Sequence, residues 1–66
     1  MLKHEILKAR ICEDIKKLRP NERIMSRPSL CRKYGFSRTT VDMAVNELIE
    51  EKVLYSIPGS GTYVSS

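Results

Sequence analysis

The sequence predicts a mainly α-helical domain that closes with a small β-hairpin, and three observations support this fold class. Apolar residues recur at helical spacing through the first three quarters of the chain, with capping signals between the segments. After Lys52, β-branched and aromatic residues flank a Pro-Gly turn. The chain has 66 residues and is 41% hydrophobic, which suffices for one small core and not for two. We therefore expect one domain over residues 1–66.

The first predicted helix covers residues 2–18, where four apolar residues recur at spacings of four, four and three. These residues are Leu7, Ile11, Ile15 and Leu18. The helix must end before Pro20, because proline disfavours helical backbone in the residue before it. Residues 23–25 are then predicted to be a short extended segment.

Two shorter signals predict a helix-turn-helix motif over about residues 27–46. Ser26 is a natural N-cap for a helix over about residues 27–34, and Gly35 suits the left-handed position that ends it. Ser37 then caps a third helix, predicted over residues 37–51, with one apolar and one polar face.

The last segment, about residues 53–64, is predicted to be a β-hairpin around the turn Pro58–Gly61. An isolated hairpin is marginally stable in water, so we expect it to dock on the helices through Leu54, Ile57, Tyr63 or their neighbours. Three helices followed by a two-stranded wing is the element order of a winged helix-turn-helix domain.

The charge of the chain favours a polyanionic partner. Lys and Arg number 12 against 8 Asp and Glu, which gives a net charge of +4. The excess is uneven, because residues 1–33 hold ten basic and four acidic residues, whereas residues 34–66 hold two and four. An N-terminal basic patch is consistent with binding to nucleic acid.

Several classes of function are disfavoured by the residue inventory. One His and two Cys, Cys12 and Cys31, cannot fill a tetrahedral zinc site without recruiting carboxylates, so we expect no metal and no cofactor. The chain has no glycine-rich loop between a strand and a helix and no clustered catalytic groups, which argues against an enzyme. Without a signal peptide or a long apolar run, we expect a cytoplasmic protein with no membrane contact.

The third helix carries the residues most suited to DNA. At a helix N-terminus, unpaired amides and a partial positive charge favour phosphate, while Arg38 can reach a phosphate or a guanine edge. Residues further along this helix can meet base edges or thymine methyls. The candidates on this helix are Ser37, Arg38, Thr39, Thr40, Asp42, Met43 and Asn46. A capped surface helix with a solvated arginine is the alternative, but the basic first half and the following hairpin favour DNA.

Three stretches of the chain resemble motifs of one protein family. Residues 34–41, Tyr-Gly-Phe-Ser-Arg-Thr-Thr-Val, resemble Leu-Gly-Val-Ser-Arg-Thr-Thr-Val, and residues 44–48 fit Ala-Leu-x-x-Leu. Residues 59–64, Gly-Ser-Gly-Thr-Tyr-Val, are similar to Gly-Arg-Gly-Thr-Phe-Val. By these motifs, nearly the whole chain resembles the N-terminal winged-helix DNA-binding domain of the GntR family of bacterial transcription regulators.

The departures from the family pattern concern the expected contacts. An arginine that contacts DNA in the family aligns with Pro28, and Arg27 lies one residue away and is its candidate substitute. A second arginine of the recognition helix is replaced by Asp42, which would repel phosphate. The wing tip lacks the basic residues common in the family, so the predicted wing contacts are the amides and hydroxyl of Gly59, Ser60 and Gly61.

The resemblance implies a transcription regulator, taken here as a repressor although the sequence does not distinguish repression from activation, with a second, C-terminal domain that binds a small-molecule effector and forms a homodimer. We expect that domain to be absent from this chain. Additional phosphate contacts are predicted at Lys3, Arg32 and Lys33, on the outside of the first two helices. A winged helix that docks on another protein, without specific DNA binding, is the main alternative function.

Overall fold

A computed structural model describes residues 2–65 and shows three helices followed by an antiparallel hairpin, as predicted. In the hairpin, Leu54 pairs with Val64 and Ile57 pairs with Gly61. The winged helix-turn-helix prediction is confirmed. The elements are α1 (Lys3–Ile15), α2 (Arg27–Tyr34), α3 (Arg38–Glu50), β1 (Leu54–Ile57) and β2 (Gly61–Val64).

The start of each helix of the helix-turn-helix motif is fixed by a local cap. Ser26 accepts a hydrogen bond from the Ser29 amide at 3.3 Å, and Ser37 accepts one from the Thr40 amide at the same distance. Gly35 ends α2 with a φ of 73°, a left-handed conformation that side chains adopt reluctantly. These caps confirm the predicted boundaries of α2 and the predicted capping of α3 by Ser37, while α3 itself is one residue shorter at each end than the predicted 37–51.

The predicted end of α1 at Leu18 is wrong, because the helix ends at Ile15. Beyond it the chain forms tighter turns, in which the Lys17 amide donates to the Asp14 carbonyl at 3.2 Å and the Leu18 amide to the Ile15 carbonyl at 3.0 Å. The backbone thus begins to turn before Pro20 is reached. Leu18 nevertheless packs against the core from this turn.

One hydrophobic core joins the helices and the wing. Four of its residues come from the inner face of α3, which packs against α1, α2 and β1. Leu54 and Val64 bring the hairpin onto this core, whereas Ile57, predicted to dock, is 44% exposed near the wing tip. The buried apolar residues are Leu7, Ile11, Ile24, Leu30, Val41, Ala44, Val45, Leu48, Leu54 and Val64.

The segment before α2 pairs with the wing, which the sequence analysis did not predict. The Ile24 amide donates to the Thr62 carbonyl at 2.9 Å, and the Val64 amide donates to the Glu22 carbonyl at 2.9 Å. Arg23 lies between these two bonds, opposite Tyr63. The extended residues 22–24 therefore form an isolated β-bridge with β2, beside the two-stranded sheet.

Among residues 2–65, none of the helices combines the length and apolar character needed to cross a membrane. Over the same residues, there is no group of three metal-ligating side chains. Cys12 and Cys31 carry free thiols and pack at the edge of the core.

Candidate nucleic-acid interface

A groove of about 320 Å³ lies between the wing and the starts of α2 and α3. It is lined by residues 23–28, by Arg38 and by residues 56–62. Three of these residues are arginines: Arg23, Arg27 and Arg38. No acidic side chain lines the groove in the part of the chain that the structure describes, so its local charge is positive.

The first turn of α3 presents its polar residues at this groove and beside it. Arg38 and Thr39 are exposed, and the first amides of a helix have no partner within it. The hydroxyl of Ser37 lies 3.0 Å from that of Thr40, so these two side chains serve first as the cap of the helix. The turn thus offers one cationic side chain together with a ready site for an anion.

Arg27 reaches across from α2 to α3 and binds two of the predicted contact residues there. Its Nη1 donates to Asp42 Oδ1 at 2.9 Å, and its Nη2 donates to Asn46 Oδ1 at 3.2 Å. The Asp42 carboxylate therefore has a cationic partner, which reduces the repulsion of phosphate expected from the sequence. Because one guanidinium binds both side chains, Arg27, Asp42 and Asn46 form a connected group on the outer face of the motif.

Met43 and the wing tip complete the exposed surface. Met43 is 44% exposed on α3, and the turn residues Gly59 and Ser60 are exposed at the end of the hairpin. The Ser60 hydroxyl contacts the Tyr63 hydroxyl on β2. Gly61 is half-buried beneath the Arg23 side chain, so it is less accessible than the two residues before it.

The three predicted phosphate contacts on α1 and α2 lie outside the groove. Lys3 and Arg32 are exposed and are absent from its lining. Lys33 donates to Asp14 Oδ2 of α1 at 2.9 Å and lies 5.3 Å from the centre of the Tyr34 ring. Its charge therefore has a partner within the domain.

A second cluster of charges joins α1 to the other end of α3. Lys8 donates to Glu47 at 3.1 Å and also contacts Glu51, while His4 Nε2 lies 2.7 Å from Glu47. Hydrogen bonds to Glu51 and Glu47 raise the pKa of Lys8 above its ordinary value of 10.5. This acid-rich end of α3 contrasts with Arg38 at its start.

The sequence analysis missed two features of the candidate interface. It counted Arg23 only as one of the ten basic residues in residues 1–33, whereas the structure brings it to the wing. It also treated Arg27 and Asp42 separately, although their opposite charges form an ion pair across the motif. The ion pair between Arg27 and Asp42 could have been expected from the sequence, because α2 and α3 pack side by side in a helix-turn-helix and the two residues lie near the starts of these helices.

Comparisons with known proteins agree with this geometry. Residues 3–64 match the family model described as bacterial regulatory proteins, gntR family. The chain is 43% identical over 47 residues to the mannosyl-D-glycerate transport/metabolism system repressor MngR of Escherichia coli, covering 71% of this chain and 20% of that protein. It is 42% identical over 64 residues to the arabinose metabolism transcriptional repressor of Geobacillus stearothermophilus, covering 97% and 17% respectively.

A solved structure extends this similarity to a DNA complex. The crystal structure of AraR(DBD) in complex with operator ORE1 superposes with a TM-score of 0.92 at 31% sequence identity. The match covers 98% of this chain and 82% of that one. The chain thus spans about a fifth of the length of the two repressors it matches, and most of the solved AraR DNA-binding domain.

Proposed function

This chain belongs to the GntR family of bacterial regulatory proteins, and from that premise we propose that it binds double-stranded operator DNA as the DNA-binding domain of a transcription regulator. The observation that carries the proposal is the groove beside the start of α3, with three arginines and, among the described residues, no acidic side chain. A positive surface next to a helix N-terminus suits the DNA backbone and places base-reading side chains within reach.

In the proposed complex, α3 enters the major groove with its first turn leading. Arg38 donates to a guanine edge or a phosphate, and Thr39 supplies a hydroxyl beside it. Met43 contacts a thymine methyl, consistent with its exposed apolar side chain. The wing lies along the DNA backbone, where Gly59 and Ser60 offer their amides and hydroxyl.

The group formed by Arg27, Asp42 and Asn46 has a separate role in this proposal. Its guanidinium retains donors beyond the two hydrogen bonds inside the domain, since arginine carries five. Arg27 can therefore bind a phosphate or a base while Asp42 holds it in place. Asn46 retains its amide donors for an adenine edge.

For the whole protein we propose a cytoplasmic homodimer that represses transcription when it occupies two half-sites. An effector-binding and dimerisation region outside these 66 residues would couple a small molecule to DNA affinity. The names of the related repressors and their greater length support this part of the proposal. They also support a regulatory role without catalysis.

The proposal is tested by the affinity of the chain for DNA from upstream of its own gene and for a scrambled duplex, measured by fluorescence anisotropy across a salt series. We expect the upstream DNA to bind more tightly, with log affinity falling linearly against log salt. Equal affinity for both duplexes would overturn sequence-specific binding by the isolated domain. No binding even at low salt would instead favour a protein-docking winged helix.

A further inference from the structure

The wing turn has no basic side chain of its own, yet the structure brings one to its base. Arg23 precedes α2 by only a few residues, but its side chain lies over Gly61, the first residue of β2. A Cβ atom built on Gly61 would lie 2.8 Å from Arg23 Nε, closer than a Cβ atom comes to a non-bonded heavy atom, so the Arg23 side chain would have to move. The guanidinium thus occupies the space that a side chain at residue 61 would fill.

The backbone fixes Arg23 at this position. The hydrogen bonds from the Ile24 amide to Thr62 and from the Val64 amide to Glu22 hold the residues on either side of Arg23 along β2. Gly61 itself has a φ of 147°, a backbone conformation that residues with a Cβ rarely adopt. Strand pairing and a glycine therefore both favour the observed placement of the Arg23 side chain.

The charge of Arg23 has no partner within the described part of the chain. Arg23 is exposed and forms no ion pair with a carboxylate of residues 2–65. It lines the same groove as Arg38, and it does so from beside β2 of the wing. A phosphate in this groove would have the guanidiniums of Arg23 and Arg38 among its lining groups.

We propose that Arg23 binds a backbone phosphate of the DNA and so provides the cationic contact that the wing turn lacks. The ligand is the phosphodiester itself, so this contact adds affinity without reading the sequence. The inference rests on the proposed function, because it assumes that the groove receives DNA. It adds a phosphate site formed by two distant segments, residues 22–24 and β2.

The test compares three substitutions of Arg23, using a scrambled duplex as the probe and the salt dependence as the readout. Arg23→Ala and Arg23→Gln remove the charge, and the glutamine keeps part of the packing over Gly61. Each phosphate contact contributes about 0.9 to the magnitude of the slope of log affinity against log salt. One contact therefore makes affinity about eightfold higher at about 0.1 M salt than at about 1 M. We expect the slope of both neutral variants to be smaller in magnitude by about 0.9, and Arg23→Lys to keep the native slope.

Arg10→Ala is the matched control, because Arg10 is exposed on α1, is absent from the groove lining and carries the same charge. We expect its slope to equal that of the native chain. If the neutral Arg23 variants keep the native slope, or if Arg10→Ala loses as much as they do, the inference is overturned while the proposed function stands. If the native chain binds neither upstream nor scrambled duplex, the proposed function fails as well.

Discussion

The two ends of α3 use charge in opposite ways. At its start, Arg38 faces a groove without acidic side chains among the described residues. Toward its end, Glu47 and Glu51 bind Lys8 of α1, so the charges there are paired inside the domain. Basic residues on the surface of one small protein are therefore not equivalent. Lys8, with its carboxylate partners, joins α1 to α3, whereas Arg38 faces the groove that we propose for a polyanion, and Arg27 combines a carboxylate partner with donors left for DNA.

The largest effect is expected from the core that supports both ends of the helix. Leu48 is fully buried, and Leu48→Ala should lower the free energy of unfolding by about 2–5 kcal/mol, because it removes apolar contacts and leaves a cavity. Urea denaturation followed by circular dichroism measures this change. Met43→Ala on the same helix is the control and should cost much less, because Met43 is 44% exposed. Equal losses for the two variants would contradict the assigned core.

Removing the charge of Arg38, which forms no ion pair with a carboxylate of residues 2–65, should affect binding and not folding. Arg38→Ala is expected to weaken binding to the upstream duplex by about 1–3 kcal/mol, because it removes a base or phosphate contact. Anisotropy titration measures the affinity, and urea denaturation should give a native free energy of unfolding. Arg10→Ala is again the control for loss of one positive charge. An unchanged affinity for Arg38→Ala would remove Arg38 from the interface.

Most of the fold was predictable because its signals are local. Ser26, Gly35 and Ser37 each act within a few residues along the chain, so the boundaries of α2 and α3 follow from capping chemistry. The end of α1 was less predictable, because its apolar pattern continues to Leu18 after the helical hydrogen bonds have given way to turns. Periodicity shows which side chains face the core and does not by itself show where a helix ends.

The candidate site was only partly predictable, because its decisive contacts join distant segments. The first turn of α3 was identified from its own residues. The contact of Arg23 with Gly61 depends on strand pairing between residues 22–24 and β2, which is set by tertiary packing. Likewise, an acidic residue on a recognition helix suggests repulsion until its partner, Arg27, is located.

The stability that the Lys8 ion pairs contribute at the end of α3 should depend on pH. Because its contacts with Glu51 and Glu47 raise the pKa of Lys8, the folded protein holds this proton more tightly than the unfolded chain does. The stabilisation is then fully present below pH 10.5 and is lost as the pH rises through the higher pKa of the folded state. Lys8→Met should therefore be less stable than the native chain at neutral pH.

Urea denaturation from neutral to strongly alkaline pH measures this difference in stability. The gap between Lys8→Met and the native chain should narrow above pH 10.5, where Lys8 begins to lose its charge in the unfolded chain. Lys16→Met is the control, because Lys16 is an exposed lysine whose ion pair, with Glu13 of α1, is local and does not join α1 to α3. A gap for Lys8→Met that stays constant across this range would show that the ion pairs do not stabilise the contact between α1 and α3.

The smallest effect separates two aspartates with nearly identical local geometry. Asp42 and Asp14 each accept from a basic side chain at 2.9 Å, and each is 38% exposed. Asp42 pairs with an arginine of the groove, whereas Asp14 pairs with Lys33, which is absent from the groove lining. Asn in place of Asp42 keeps an oxygen acceptor for Arg27 and removes the negative charge. Affinity for a scrambled duplex should then rise by about 0.2–1 kcal/mol, the usual size of an exposed charge interaction.

Asp14→Asn removes the same charge away from the groove, so it should leave the affinity for the scrambled duplex near the native value. Titrations of both variants at one low salt concentration make the comparison, because salt screens exposed charges. Equal gains in affinity would mean that net charge alone governs binding and that it does not matter whether the aspartate lies at the groove or away from it. A loss of affinity in Asp42→Asn would show instead that the full carboxylate is needed to hold Arg27 in its binding position, which would make Asp42 a positioning residue of the interface.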